Sequence, residues 1–284
     1  MTWTTLVDVP TLAAALHDPQ LRLLDARFVL TDPQAGHAAH AQSHLPGAAH
    51  ADLDRDLADL SRTGEGRHPL PDPTAFATRV GAWGIGPEHQ VVVYDAGDGS
   101  MAAARAWWLL RLLGHTRVAV LDGGLAAWRA AGLPESDALP ALPPLPPYPG
   151  RFDAAMIAGA DEVLQRLPEP CGWLLDARGG ERFRGEVEPI DPVAGHVPGA
   201  GNRPFAANLV DGRFKAPATL ADELRPLLHG RDPREVVLMC GSGVTACHLL
   251  LAFEHAGLHG ARVYAGSWSG WIADPARPVA TGAG

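Results

Sequence analysis

The chain carries one ordered set of short motifs twice, and this internal repetition constrains its fold more than any other feature. The first set is LLDAR (Leu23–Arg27), HLPGA (His44–Ala48) and VVVYD (Val91–Asp95). The second is LLDAR (Leu174–Arg178), HVPGA (His196–Ala200) and VVLMC (Val236–Cys240). Each set closes on a glycine turn and a tryptophan, DGGLAAW ending at Trp128 and AGSWSGW ending at Trp271. Between the sets, seven prolines fall from Pro134 to Pro149. Proline removes a backbone donor and fixes φ, so this stretch reads as an extended linker. The expected organisation is one domain over residues 1–135, a linker over 136–151 and a second domain over 152–284.

Inside each set, short apolar runs alternate with longer stretches of helical spacing. Leu21–Leu24 (but for Arg22), Val91–Tyr94 and Val118–Leu121 are apolar without alternation, as in strands of a parallel sheet buried on both faces. Their counterparts are Trp173–Leu175, Val236–Met239 and Ala261–Tyr264. Helices are predicted over Ala102–Leu113, stopped by Gly114, and over Val244–Ala256, stopped by Gly257. The fold class is therefore α/β, with two open, mostly parallel sheets carrying helices on both faces. Such sheets bind ligands beyond the carboxyl ends of their strands, and Cys240 stands at one of those ends.

The formal net charge of −9 disfavours a nucleic-acid partner and a basic membrane-binding patch. No run approaches the roughly 20 apolar residues of a membrane span, and the first residues lack the basic start and apolar run of a signal peptide. Three cysteines, Cys171, Cys240 and Cys247, make no disulfide framework and no CxxC pair, which also speaks against a zinc site. A reducing cytoplasm is the expected compartment.

The segment VVLM-CGSGVT-ACHLLL carries the chemistry. A strand ends at Met239, a glycine-rich turn follows, and a helix begins near Val244. Gly241 and Gly243 permit backbone conformations that turn successive N–H groups inward as an anion-binding nest. The helix N-terminus adds unpaired donors and a positive partial charge, so a sulfur anion on Cys240 would be stabilised without a basic side chain in the loop. Cys247 reads as a packed helix residue and Cys171 as structural. A cysteine phosphatase would need an arginine six residues after its nucleophile to fork onto phosphate oxygens; that position is Ala246.

These features resemble the two-domain rhodanese family, and within it the Gly-Ser loop resembles 3-mercaptopyruvate sulfurtransferases more than thiosulfate sulfurtransferases, which carry basic residues directly after the cysteine. The resemblance covers nearly the whole chain. It implies two rhodanese-like domains, a persulfide on Cys240, a catalytically silent first domain, and no metal or organic cofactor. It makes Gly241, Ser242, Gly243, Val244 and Thr245 the loop that holds the donor. The implied reaction moves sulfane sulfur from a small anionic donor, 3-mercaptopyruvate or alternatively thiosulfate, to cyanide, a small thiol or a thioredoxin-type protein. A persulfide relay without small-donor turnover is the reading from another functional class.

The repetition provides an internal control. Asp95 stands where the second set has Cys240, so the first set cannot form a persulfide. Pairs shared by both sets (Asp25 and Arg27 with Asp176 and Arg178, His44 with His196) then belong to the fold. Arg182, in GGERFRGEVEPID, has no counterpart after Arg27, and the family's substrate-binding arginine falls on it. The second arginine that mercaptopyruvate enzymes carry after a Glu-Pro pair is here Ile190. The resemblance also implies a proton relay of Ser242, His68 (in GRHPLP) and Asp54 (in ADLDRD, where Asp52 and Asp56 are alternatives in register). Gly97–Gly99 and Gly64–Gly66 read as plain turns, and Trp268 or Trp271 as a wall of the cleft.

Overall fold

The computed structural model describes residues 2–97, 102–140 and 142–283. Asp98 and Gly99 of the first glycine turn lie outside them. The chain divides into two compact units, one of Met1–Asp59 with Leu70–Asp153, the other of Leu60–Pro69 with Ala154–Gly284.

In the first unit the strands are β1 (Leu6–Val7), β2 (Leu21–Asp25), β3 (Ala49–His50), β4 (Gln90–Tyr94) and β5 (Val118–Leu121). The helices are α1 (Val9–Ala15), α2 (Ala35–Gln42), α3 (Pro73–Ala82), α4 (Ala102–Leu112) and α5 (Gly124–Ala130). The strands form one sheet in the order β1-β5-β4-β2-β3, every neighbouring pair parallel. Local chemistry starts the helices where they start. Asp8 accepts the Thr11 N–H (2.8 Å) ahead of α1, and Asp72 accepts those of Thr74 and Ala75 (both 2.9 Å) ahead of α3, each with a proline in the first turn. Trp107, Trp108 and Trp128 are wholly enclosed.

In the second unit the strands are β6 (Ile157–Ala158), β7 (Leu174–Asp176), β8 (Gly201–Asn202), β9 (Leu209–Val210), β10 (Arg213–Phe214), β11 (Val237–Met239) and β12 (Arg262–Tyr264). The helices are α6 (Ala160–Arg166), α7 (Gly180–Arg184), α8 (Pro217–Leu224), α9 (Thr245–His255) and α10 (Ser267–Trp271). The main sheet runs β6-β12-β11-β7-β8, all parallel, while β9 and β10 form a separate antiparallel pair. The middle strands β4 and β11 are buried along their whole length, and α4 and α9 pack directly on them, which explains their unbroken apolar sequence.

The proline-rich stretch is bound rather than free. Leu145 and Tyr148 donate their N–H groups to the carbonyls of Gly81 and Ala77 on α3 (2.8 and 2.9 Å). The shared polar pairs are ion pairs and loop anchors. Arg27 meets Asp25 at 2.6 Å and also donates to Ser43 O, and Arg178 meets Asp176 at 2.7 Å and donates to Gly195 O. A ring nitrogen of His44 contacts His40 O, and one of His196 contacts Phe183 O.

Candidate active site

Cys240 follows the last residue of β11, the middle strand of its sheet, and is 2% exposed. Its Sγ accepts the N–H of Gly243 at 3.1 Å. The turn is also held from the α10 side. The Cys240 N–H donates to Ser267 Oγ (3.0 Å), and the carbonyls of Cys240 and Gly241 accept the N–H groups of Trp268 and Ser269 (both 2.9 Å). Ser267 adopts a left-handed φ of 51°, an unfavourable state for a residue with a Cβ. Its hydroxyl donates to Tyr264 O (2.8 Å) while accepting from Cys240, which offsets that cost.

Gly243 has φ 77°, and a Cβ on it would lie 2.4 Å from the carbonyl oxygen of Ala265. Only glycine fits there. Among the described residues, the N–H groups of Gly241, Ser242, Val244 and Thr245 have no acceptor. Cys247 is buried in α9, where its thiol donates to Gly243 O (3.1 Å), and therefore packs as expected. Cys171 departs from expectation: it is exposed. In the first unit, Asp95 accepts N–H groups from Gly97 and Ala103 (both 3.3 Å), and its carbonyl accepts that of Leu125 at the start of α5. The carbonyls of Asp95 and Cys240 thus accept the N–H groups of Leu125 and Trp268 in the same way, with a carboxylate on one residue where the other has sulfur.

The segment Leu60–Pro69 contributes directly to the second unit. A Cβ on Gly66 would lie 2.6 Å from Gly266 O, so the two backbones pass very close. The Arg67 N–H donates to Ser269 Oγ (3.0 Å), and Nδ1 of buried His68 lies 2.8 Å from Oγ of buried Ser242. The Gly64–Gly66 turn thus seats this segment on the loop rather than merely reversing the chain. Asp54 belongs to the first unit, where its N–H donates to Asp52 Oδ1 (2.9 Å). Burial, and then the neighbouring Asp52 charge, push the Asp54 carboxyl above the usual carboxylate range.

Arg182 lies on α7. Its Nε and Nη2 fork onto Glu188 (3.1 and 2.7 Å to Oε1), and Nη2 also reaches Asp191 Oδ2 (3.1 Å). Burial alone would raise the Glu188 carboxyl. Hydrogen bonds from Arg182 and from the Asp191 and Ile190 N–H groups outweigh it and hold Glu188 below the usual range. Asp191 shifts the other way, raised by burial against the pull of Arg67. Arg67 donates through Nη1 to Asp191 Oδ1, so one carboxylate bridges two arginines. Sequence reasoning missed Arg67; its signal was its place immediately before His68. One of Trp268 and Trp271 is expected at a cleft wall; both are instead fully buried in the core, with Arg178 lying over the Trp268 ring.

Two parallel-sheet units, one ending its middle strand on a cysteine inside a glycine turn, define a class that the comparisons make specific. The profile of the Rhodanese-like domain matches residues 8–131 and 159–274. The chain belongs to the rhodanese family of sulfurtransferases. It is 51% identical over 289 residues to a Pseudomonas aeruginosa protein named as a probable 3-mercaptopyruvate sulfurtransferase, covering 99% of this chain and 100% of that one. It is 42% identical over 272 residues to SseB of Mycobacterium tuberculosis, named provisionally as a thiosulfate sulfurtransferase, covering 93% and 92% of the two chains. The crystal structure of SseA, a 3-mercaptopyruvate sulfurtransferase from Escherichia coli, superposes with a TM-score of 0.79 at 30% identity, over 94% of this chain and 100% of that one.

Proposed function

We propose that this chain is a sulfurtransferase that takes sulfur from 3-mercaptopyruvate and carries it as a persulfide on Cys240. The observation that carries the reading is the Cys240 sulfur at the end of β11 with the Gly243 N–H aimed at it. The unpaired N–H groups of Gly241, Ser242, Val244 and Thr245, at the start of α9, support it as donors for anionic sulfur. In the first half-reaction the Cys240 thiolate attacks the donor thiol sulfur. The donor's carbon–sulfur bond breaks, its electron pair passes to carbon, and pyruvate leaves as the enolate. The proton of the donor thiol passes to Ser242 and His68 and returns to the enolate carbon; the 2.8 Å contact between these side chains supports that relay. Asp54, in the first unit, is the proposed orienting carboxylate. In the second half-reaction an acceptor (cyanide, a small thiol or a thioredoxin-type thiol) attacks the outer sulfur, and the Cys240 thiolate is released. All three cysteines are free, as a reducing cytoplasm would keep them.

Incubation with 3-mercaptopyruvate alone should add one sulfur atom to Cys240, read by mass spectrometry of the intact chain and its peptides. Cys240→Ser should abolish both this gain and turnover. Turnover retained by Cys240→Ser would reject the mechanism, and no gain in the wild type would favour a relay fed by a partner. Comparing kcat/KM for 3-mercaptopyruvate and thiosulfate on one preparation tests the donor.

A further inference from the structure

We propose that Ser269 on α10 is the positioning residue of the proton relay: it holds the chain neighbour of each relay member, Gly241 beside Ser242 and Arg67 beside His68. The inference rests on Ser242 and His68 moving the donor's proton, and adds what keeps these two side chains together. Ser242 sits in the turn after β11, whereas His68 arrives on Leu60–Pro69, a segment that belongs to no helix or strand. No ladder of backbone hydrogen bonds fixes such a segment, so its place against the turn depends on individual contacts. Ser269 supplies one to each side. Its N–H donates to Gly241 O (2.9 Å), and its Oγ accepts the Arg67 N–H (3.0 Å). The same hydroxyl directs its own hydrogen towards Gly266 O (3.4 Å), which leaves a lone pair turned to the segment. His68 Nδ1 then lies 2.8 Å from Ser242 Oγ.

The surface around Ser269 is shaped to receive a backbone. Gly266 and Gly270 stand one helical turn apart on the same face, and Glu65–Gly66 crosses that face. A Cβ on Gly270 would lie 3.3 Å from Glu65 O and from Gly66 N, and one on Gly266 would lie 3.3 Å from Glu65 O. Gly66 supplies the matching gap, since a Cβ on it would lie 2.6 Å from Gly266 O and 3.1 Å from Ser269 Oγ. Its φ of 100° is also closed to other residues. Three glycines thus bring the segment near enough for a backbone N–H to reach a side chain as short as serine. Arg67 is also tied to Asp191 through Nη1, but several rotatable bonds separate that guanidinium from its backbone. The ion pair therefore fixes the guanidinium, and the Ser269 hydroxyl fixes the peptide that leads into His68.

The test uses the two half-reactions of one enzyme, because only the first moves a proton. Persulfide formation from 3-mercaptopyruvate carries the thiol proton to the enolate carbon. In discharge to cyanide, the cyanide carbon attacks the outer sulfur, the S–S bond breaks, and its electron pair returns to Cys240 as thiolate. Ser269→Ala keeps the N–H on Gly241 O and removes only the hydroxyl. Stopped-flow kinetics on the whole chain read formation with 3-mercaptopyruvate, and then discharge after loading and desalting. The ratio of the formation to the discharge rate constant should fall by roughly 3- to 10-fold, the equivalent of one neutral hydrogen bond. In a His68→Asn chain, whose relay is already broken, adding Ser269→Ala should leave that ratio where it stands. General damage to the fold slows both steps and leaves the ratio alone. An unchanged ratio in Ser269→Ala, or an equal further fall in the His68→Asn background, would overturn the role of Ser269 and leave the relay standing. A wild-type chain that forms no Cys240 persulfide from 3-mercaptopyruvate would overturn the proposed function and this role with it.

Discussion

Replacing Gly243 with alanine separates the two demands that the Cys240 turn makes on its backbone. Holding an L-residue in the left-handed region costs about 1–2 kcal/mol. The new Cβ would stand 2.4 Å from Ala265 O, where carbon–oxygen contacts normally sit at roughly 3.3–3.6 Å. The turn must therefore shift by about 1 Å, a strain of the kind that costs about 1–3 kcal/mol in a packed interior. The loss of chain freedom in the unfolded state returns about 0.4–1 kcal/mol. The net is about 2–4 kcal/mol, or roughly 5–15 °C in the melting of the second unit. The same shift moves the Gly243 N–H off the sulfur, at a cost of about 1.5–3 kcal/mol for a bond to an anion and a fall of roughly 10- to 100-fold in persulfide formation. Gly241→Ala is the control. Its φ is not left-handed, and its Cβ would meet the far ends of the Arg67 and Arg182 side chains rather than backbone. Its melting temperature should stay within about 3 °C of wild type, while 3-mercaptopyruvate binding weakens. Calorimetry and stopped-flow persulfide formation read both effects. A Gly243→Ala chain that melts and reacts like the wild type would refute the reasoning, as would a Gly241→Ala chain equally destabilised.

Two further outcomes follow from buried polar groups. His115 is enclosed, with Nδ1 3.0 Å from Tyr148 Oη, and burial pulls its pKa down to about 4. The unfolded chain takes up this proton near pH 6.5, so the stabilisation is complete above that pH and is lost as pH falls towards 4, by on the order of 3 kcal/mol. His115→Gln should flatten that part of the stability–pH curve in urea titrations, and an unchanged slope would assign the acid sensitivity to other groups. Ser242→Ala and His68→Asn should each lower kcat for 3-mercaptopyruvate by roughly 10²- to 10⁴-fold with little added loss in the double variant, since the two act as one relay. Additive losses would separate them.

The middle of each sheet was legible because a strand covered on both faces must be apolar throughout. The runs at Val91–Tyr94 and Val236–Met239 accordingly differ from β4 and β11 by a single residue at one end. The edge strands β1, β3, β6 and β8 have two residues each, too few to show any period. The nucleophile was visible because a cysteine, two glycines and a helix start stand together in sequence. Arg67 was not visible, because its partners Asp191 and Ser269 lie more than a hundred residues away. Trp268 was misplaced because its distance from the strand end says nothing of which way an indole turns; the ring is fully buried and its N–H donates to Val193 O.

The assignment of Leu60–Pro69 to the second unit means that the polypeptide changes unit three times between its ends. During synthesis this decapeptide leaves the ribosome long before β6 to β12 exist to receive it. The first unit must close around a stretch that it does not use, and that stretch must wait for the rest of the chain. A gene fragment beginning at Ala154 would encode every strand of the second sheet and still lack two side chains that touch its reactive turn and its arginine cluster.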